Sequence, residues 1–409
     1  MKSKKVKIFI GILVIALTFI AYQLVKIKWD NNRLVKISDT LFSGPPAQRV
    51  PIKYIAPINP KADIGTQNLL KYFYALASNT EKNFFLSGQD IAGASNISEP
   101  ITDSYQKYFA AIESVTGKLP VIMGASYDSP FGPERFTEAN KILINHWNKG
   151  GLMEISISPN NPFTGGNSRD HGLAGHKYDD LFTPGNVVNN RLLADLDKFA
   201  AGLEQLQNAG VTVIFRQFQE MNGDWFWWSY GENGRVSHEE FGKLWNYVFD
   251  YFTNKKGLHN LVLVYAPNAT LSNKIIRPVT YYYPGNFHVD MVGLDYYHDD
   301  MTQVNADDSY DAMVALGKPF GFAEIGPQSL TGFAKLGRKT FDNLDVTRAI
   351  NTKYPQAVFL MYWRGWGGPG LFHISQAIAE NKNARQFMND LLNITLDKKV
   401  RETKFGTLK

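Results

Sequence analysis

Short apolar runs alternate with longer stretches of helical periodicity from residue 84 onward in this 409-residue chain. The apolar runs are rich in β-branched and aromatic residues, which is typical of buried strands. Their alternation with helical segments is typical of βα units stacked around a parallel sheet. The predicted strands are 84–90, 120–125, 151–158, 211–220, 261–268, 290–297, 319–325 and 358–363. Eight such strands are the number that closes a (β/α)8 TIM barrel, an α/β fold.

Most connections between these strands show helical periodicity. Gly210 and Gly257 each follow a helical run, as C-cap glycines do, and Ser237 precedes His238 and two glutamates as an N-cap. The helix expected after the fifth strand has the weakest pattern. The predicted helices are 104–115, 136–149, 190–208, 238–255, 307–316, 343–353 and 375–392.

The N-terminal region predicts a transmembrane segment ahead of the barrel. Residues 8–25 form an uncharged, mostly apolar run of 18 residues, and four lysines precede it. This run is long enough to span a bilayer, and the lysines place the N-terminus in the cytoplasm. A cleaved signal peptide has the same basic start, although no convincing cleavage site follows. Both interpretations place residues from about 37 onward outside the cell, either at the membrane face or secreted.

Four segments make up the predicted domain organisation. Residues 1–30 are the membrane anchor or signal sequence, and residues 31–80 are a proline-containing stalk and approach segment. Residues 81–395 form the barrel, and residues 396–409 form a C-terminal tail. We expect a monomer.

Composition and charge narrow the range of partners. The chain has no cysteine, which excludes disulfides, thiolate metal sites and a cysteine nucleophile. Of the formal net charge of +5, residues 1–36 supply +7, so the rest of the chain carries about −2. A nearly neutral body favours a neutral substrate over nucleic acid. The 8 Trp, 20 Tyr and 27 Phe could pack against sugar rings as well as form a core.

Two predicted strands end on a glutamate. The fourth runs into Glu220 and the seventh into Glu324. In a TIM barrel the functional side chains lie at the carboxyl ends of the strands, so these two carboxyl groups are expected at one mouth. A pair of carboxyl groups on either side of a glycosidic bond, one protonated and one ionised, is the machinery of glycoside hydrolysis. Surface glutamates or salt-bridge partners are the alternative interpretation.

Other candidate sites are weaker. Asp170, His171, His176, Asp179 and Asp180 cluster in the long segment after the third strand, but their spacing matches no established metal-ligand motif. No phosphate-cradling glycine loop or dinucleotide fingerprint is present. We therefore predict neither a metal nor a cofactor.

The segment around Glu220 resembles the bacterial β-mannanases of glycoside hydrolase family 26. The strongest similarity is the run from Phe215 and Arg216 through 220–228, with the sequence EMNGDWFWW. Further similarity lies in FLSGQ at 85–89, VGLDYY at 292–297 and YWR at 362–364. The resemblance covers most of residues 84–392.

The resemblance implies a retaining, endo-acting hydrolase of a β-linked polysaccharide, and it implies roles for individual residues. Glu220 would be the acid/base, Glu324 the nucleophile, Tyr297 the hydroxyl that holds the nucleophile, and Trp363 the platform under the sugar at the cleavage point. Trp225 and Arg364 would bind neighbouring sugars. The remaining substrate-binding or supporting candidates are Ser158, Arg216, Gln219, Asn222 and Trp228.

Two departures from the family pattern leave the polymer open. Gln219 stands where the family usually has histidine, and Ile157 and Ser158 stand where it usually has a Trp-His pair. Neither position belongs to the carboxyl pair, but both belong to the walls of the sugar site. The expected substrate is β-1,4-mannan or a related polymer. A β-glucan, the organism's own exopolysaccharide, and a catalytically silent carbohydrate-binding barrel are the alternatives.

Overall fold

The computed structural model describes residues 46–91, 99–128, 132–229, 235–269, 277–301, 307–328, 341–365 and 376–398. Eight parallel strands form its centre, and every one of them is buried along its whole length. They are β1 Phe85–Asp90, β2 Ile122–Asp128, β3 Leu152–Ser158, β4 Val213–Gln217, β5 Leu261–Tyr265, β6 Met291–Tyr297, β7 Phe320–Gly326 and β8 Ala357–Tyr362. This confirms the predicted (β/α)8 barrel.

The sheet closes because β1 pairs with both β8 and β2. The first pairing aligns Gly88 with Met361, and the second aligns Gly88 with Ile122. A short additional strand, β9 Asn393–Ile394, pairs with the first residues of β1. All of these pairings are parallel, so the carboxyl ends of the eight strands meet at one mouth.

Helices connect most of the strands. The segment between β1 and β2 is a helix interrupted by a π-helical stretch, and the helix after β4 ends in a second one. In chain order the helical elements are Ile64–Ala77, Ile101–Ser104, Tyr105–Ala110 (π), Ala111–Thr116, Pro133–Asn148, Tyr178–Phe182 (3-10), Val187–Asn208, His238–Asp250, Tyr251–Lys255 (π), Ser309–Val314, Asn343–Thr352, Ile378–Glu380 (3-10), Ala384–Met388 and Leu396–Lys398 (3-10).

The prediction of one long helix at 375–392 was wrong. In its described part the chain forms the 3-10 turn Ile378–Glu380 and the short helix Ala384–Met388. Asn383, between them, has a left-handed φ of 56°. A left-handed residue cannot continue a right-handed helix, so apolar spacing alone overstated the length. No helix is found in the described residues between β5 and β6, where the pattern was weakest.

The approach segment contains a helix that the pattern of apolar residues did not predict. Ile64–Ala77 begins at Asp63, whose side chain accepts from Thr66 N, and it buries Leu69, Phe73 and Leu76 completely or nearly so. Phe73 packs edge-on against Phe359 of β8. This helix is therefore part of the barrel's hydrophobic core.

Arg49, close to the first residue that the structure describes, binds its segment of the chain to the barrel. Its guanidinium donates to the carbonyl oxygens of Leu76 at 2.5 Å, Phe84 at 2.6 Å, Pro355 at 2.5 Å and Ala357 at 3.0 Å. The side chain is 2% exposed. Burial lowers the pKa of Arg49 to about 10, but the group remains charged at neutral pH.

Replacement of Arg49 by Met is expected to lower the free energy of unfolding by about 2 to 4 kcal/mol, because several buried carbonyl groups lose a charged donor. Thermal and urea unfolding of the two proteins would measure the change. The exposed Lys53→Met is the matched control and should leave stability unchanged within about 0.5 kcal/mol. Equal stability of the two variants would contradict a fastening role for Arg49.

The predicted membrane span at 8–25 lies outside the described residues. Within the part of the chain that the structure describes, no helix has the length and apolar character needed to cross a bilayer. The chain divides into two compact units, Met1–Pro46 and Ala47–Lys409, and the barrel belongs to the second.

Candidate active site

The chain turns sharply where β4 ends. The strand was predicted to reach residue 220 but stops at Gln217, because Phe218 and Glu220 adopt left-handed φ angles of 56° and 54°. Such angles are unfavourable for residues other than glycine and persist only when the surroundings hold them. Phe218 is fully buried among aromatic rings, and Glu220 N donates to Ala266 O at 2.8 Å. The turn places the Glu220 side chain at the barrel mouth.

Two donors hold the half-buried carboxyl group of Glu220. Asn268 Nδ2 donates to one oxygen and Trp225 Nε1 to the other, each at 2.5 Å. Burial and the neighbouring Glu324 carboxylate raise the pKa of Glu220 to about 7, although the two hydrogen bonds oppose that shift. Glu220 can therefore carry a proton at neutral pH, as a general acid must.

Glu324 lies near the end of β7, opposite Glu220, and is 7% exposed. Arg216 Nη2 donates to one of its oxygens at 2.6 Å, and the Tyr297 hydroxyl donates to the other. Burial, together with the negative charge of Glu324, raises the pKa of Tyr297 well above its usual range, so this hydroxyl keeps its proton. A guanidinium and a phenolic hydroxyl thus hold the two oxygens of the Glu324 carboxyl group.

The two glutamates face each other across the mouth. One carboxylate oxygen from each of Glu220, Asp295 and Glu324 lies within 4.8 Å of the other two. Glu220 and Glu324 have different surroundings, since neutral donors contact the first and a guanidinium contacts the second. A pair of carboxyl groups in such unlike environments can divide the roles of acid and base.

Arg216 is the cation beneath this pair. It extends from β4, is 2% exposed, and contacts three carboxyl groups: Glu154 on β3, Asp295 on β6 and Glu324 on β7. Burial opposes its charge, but the three acidic neighbours raise the pKa of Arg216 well above its usual range. Burial also raises the pKa of Glu154 and Asp295 despite the guanidinium, because one cation serves three acids.

Asn222 and Trp228 support the site from behind. Asn222 is fully buried, and its side chain donates to Asn268 O and accepts from Asn268 N, both at 2.8 Å. It thereby fixes the residue that donates to Glu220. Trp228 is fully buried, stacks on Phe226 and donates to Gln219 O. Both residues are scaffold, and Trp225 is the partly exposed indole beside Glu220.

Trp363 and Arg364 follow β8 at the same mouth. Trp363 is partly exposed, and its backbone donates to Ile325 O of β7. Arg364 is only 1% exposed, and its Nε lies 3.5 Å from Asp90 Oδ1 at the end of β1. The structure thus buries Arg364 in an ion pair with Asp90, and leaves the Trp363 indole accessible at the mouth.

The acidic and histidine residues of the loop after β3 mainly stabilise that loop. Asp170 accepts from the Thr164 hydroxyl and from Gly172 N, and the ring of His176 is 3.2 Å from Asp180. Trp227 N donates to Ser168 O at 3.0 Å, so the loop reaches the turn after β4. These contacts give the cluster a structural role.

The same loop carries an exposed cation whose charge acts on Glu220. The guanidinium of Arg169 lies over the Phe226 ring, 5.4 Å from its centroid, and its charge lowers the pKa of Glu220. Replacement of Arg169 by Gln should therefore move the alkaline limb of the activity profile to higher pH by a few tenths of a unit, since an exposed charge is screened. Lys177→Gln, an exposed change on the same loop, should not. A shift of the alkaline limb to lower pH in Arg169→Gln would contradict the electrostatic effect of Arg169 on Glu220.

The model of the family described as glycosyl hydrolase family 26 matches residues 58–398. The chain belongs to this family. A mannan endo-1,4-β-mannosidase from Bacillus subtilis is 33% identical over 337 residues, which cover 80% of this chain and 87% of the relative. A mannan endo-1,4-β-mannosidase A and B from Caldalkalibacillus mannanilyticus is 35% identical over 76% of this chain and 58% of its own length. A solved Bacillus subtilis mannanase superposes with a TM-score of 0.69 at 29% identity, over 84% of this chain and 96% of that one.

This family 26 glycoside hydrolase brings the two sequence departures into direct contact. Gln219 Nε2 donates to Ser158 Oγ at 3.2 Å, and both residues are buried. Ile157 is fully buried and belongs to the hydrophobic core. The substitutions at 158 and 219 therefore form one paired change in the wall beside Glu220.

Three site residues of this family 26 enzyme were not among the sequence candidates. Asn268 and Glu154 contact Glu220 and Arg216, respectively, and Asp295 contacts Arg216. The predicted fifth strand ends on Asn268, so its place at a strand end, like that of the two glutamates, is the sequence signal for it. Glu154 gives a signal only as a charged residue inside an otherwise uncharged apolar run.

Proposed function

We propose that this family 26 enzyme cleaves internal β-1,4 linkages of a β-mannan-like polysaccharide with retention of anomeric configuration. The observation that carries the mechanism is the spacing of Glu220 and Glu324, whose nearest carboxylate oxygens lie within 4.8 Å. Retaining enzymes place their carboxyl groups about 5 to 5.5 Å apart, whereas inverting enzymes need about 6.5 to 9.5 Å to admit a water.

The two glutamates take different steps in this proposal. Glu324 attacks the anomeric carbon while Glu220 gives its proton to the departing glycosidic oxygen, which yields a glycosyl-enzyme ester. Glu220, now ionised, takes a proton from water as that water displaces Glu324 from the anomeric carbon. The raised pKa of Glu220, about 7, suits it to both proton transfers.

The polymer is inferred from the relatives, whose names describe mannan endo-1,4-β-mannosidases. The accessible indoles of Trp225 and Trp363 suit the C–H faces of hexose rings. Arg216, Asn268 and Tyr297 donate hydrogen bonds to the two carboxyl groups. At positions 158 and 219 the family pattern has histidines, and the Gln219–Ser158 pair replaces them in this wall of the site with other polar side chains.

Hydrolysis of a substrate panel by the full-length chain would test this function. The panel contains β-mannans, β-glucans and native exopolysaccharide, with product size followed by chromatography and anomeric configuration by NMR. We expect short oligosaccharides from β-mannan, released first as the β-anomer. Initial release of the α-anomer would overturn retention, a faster rate on another polymer would overturn the mannan assignment, and binding without cleavage would mark a carbohydrate-binding barrel.

We also propose that residues 8–25 anchor the enzyme in the membrane, with the barrel outside the cell. The support is the uncharged apolar run behind four lysines. Cell fractionation and N-terminal sequencing would test it. Membrane-bound protein with an intact N-terminus is expected, and secreted protein beginning after residue 25 would instead indicate a cleaved signal peptide.

A further inference from the structure

Glu154 is a buried acid that the proposed reaction does not use directly. It lies on β3, points into the barrel and is 2% exposed. Its Oε1 accepts from Arg216 Nε at 2.5 Å. The other oxygen packs over Gly124 of β2, where an added Cβ would lie 3.0 Å from it. The barrel therefore leaves room at residue 124 for a charged group that costs free energy to bury.

Arg216 joins Glu154 to Glu324. Its Nε–H donates to Glu154, its Nη1 donates to both oxygens of Asp295 at 3.1 and 3.2 Å, and its Nη2 donates to Glu324 at 2.6 Å. A guanidinium is a rigid planar fork, so its donor directions are fixed relative to one another. A rotation that released Glu154 would also displace the group that holds Glu324.

We propose that Glu154 is a positioning residue that acts on Glu324 through Arg216, by fixing the guanidinium and by sharing its positive charge. This inference rests on the proposed role of Glu324 as the nucleophile. If Arg216 served Glu324 alone, it would stabilise the ionised carboxylate strongly in the ground state and slow its attack. Because Glu154 and Asp295 also interact with Arg216, the guanidinium stabilises the ionised Glu324 less strongly. Its hydrogen bond to Glu324 still holds that carboxylate in position.

The charges around Glu154 support the proposal that several acids share the positive charge of Arg216. Besides Arg216 on β4, the groups that interact electrostatically with Glu154 are Glu324 on β7, Asp295 on β6 and Asp90 at the end of β1. Asp90 has its own cation in Arg364. Arg216 is thus the cation that Glu154, Asp295 and Glu324 share. A change in the charge of one of these acids therefore alters how strongly Arg216 interacts with the other two.

Glu154→Gln tests the charge with little change of shape. On a dinitrophenyl β-mannoside, whose leaving group needs no proton from Glu220, kcat/KM reports the attack by Glu324. We expect kcat/KM to fall by about 10- to 100-fold. We also expect the acid limb of its pH profile to move to lower pH, because the negative charge removed at residue 154 no longer opposes ionisation of the other carboxyl groups around Arg216. A purely structural residue would leave that limb in place.

Two further variants are needed: Glu154→Asp tests the reach of the side chain, and Ser156→Ala is the control. The aspartate keeps the charge but shortens the reach, so it should lower kcat/KM and leave the acid limb in place. Ser156 is buried two residues further along β3, and its hydroxyl shares a hydrogen bond with the hydroxyl of Ser126. Ser156→Ala should therefore have the kcat/KM and the acid limb of wild type. If Glu154→Gln does not fold, Glu154→Asp decides: a lower kcat/KM with an unchanged free energy of unfolding supports the proposal, and wild-type kcat/KM overturns it.

The result for Glu324→Gln separates the two proposals. An inactive Glu324→Gln beside a Glu154→Gln enzyme with wild-type kcat/KM and an unmoved acid limb overturns the positioning role alone. An active Glu324→Gln overturns the proposed mechanism itself. A Glu154→Gln enzyme with reduced kcat/KM and a lowered acid limb supports the positioning role.

Discussion

Glu324→Gln is expected to lower kcat/KM on every substrate by at least about 10³-fold, because an amide cannot form the glycosyl-enzyme ester. Arg216 and Tyr297 both donate to the present carboxylate. The amide retains one oxygen to accept a hydrogen bond, so the fold should survive the change. Steady-state kinetics on mannan and on a dinitrophenyl β-mannoside, with circular dichroism of the variant, would measure both effects.

Glu220→Gln should show a different dependence on the leaving group. Loss of a general acid costs about 10²- to 10⁴-fold on mannan, whose departing sugar needs a proton, and much less in the first step on a dinitrophenyl glycoside. The exposed Glu204→Gln, on the helix Val187–Asn208, is the matched control and should be fully active. Equal losses on both substrates in the Glu220 variant, or activity on mannan within about threefold of wild type, would contradict the acid/base assignment.

The sequence was sufficient to predict the barrel and the position of its mouth. Eight apolar runs with intervening helical periodicity determine the strand count, and a parallel closed sheet then brings the residues after β4 and β7 to one end. Glu220 and Glu324 follow from that topology alone. Their separation does not, because it depends on the left-handed turn at Phe218 and Glu220, which no pattern of apolar spacing encodes.

The polar contacts beneath the mouth were harder to predict. Asn222 was a candidate for a substrate-binding or supporting role, and the structure shows it supporting Asn268, 46 residues further along the chain, a partner that was not predicted. Glu154 lies 62 residues before Arg216. Such contacts depend on side-chain direction inside the barrel, and a single sequence gives only the alternation along each strand. The helix Ile64–Ala77 was missed because prolines on its N-terminal side favoured a stalk interpretation.

Replacement of Arg216 should affect stability as strongly as catalysis. Arg216→Met leaves Glu154, Asp295 and Glu324 buried around an apolar side chain, and removal of one partner from a buried ion pair costs about 3 to 5 kcal/mol. The loss should depend on pH. Without the guanidinium the folded variant binds protons on these buried acids more tightly than folded wild type does, so the deficit relative to wild type should shrink as pH falls from about 7 toward 4.5.

Arg216→Lys distinguishes charge from geometry in the same measurement. A lysine keeps the positive charge but cannot present three fixed edges to three carboxyl groups. We expect it to recover part of the stability lost in Arg216→Met, yet to remain about 100-fold below wild type in kcat/KM, because Glu324 is no longer held in place. Arg191→Met is the control for loss of an arginine whose guanidinium donates to backbone carbonyl oxygens, those of Pro162 and Phe163, instead of to carboxyl groups. Its stability deficit should not change with pH. A deficit in Arg216→Met that is likewise constant from pH 7 to 4.5 would contradict the assignment of Arg216 as the shared counter-ion of the three acids.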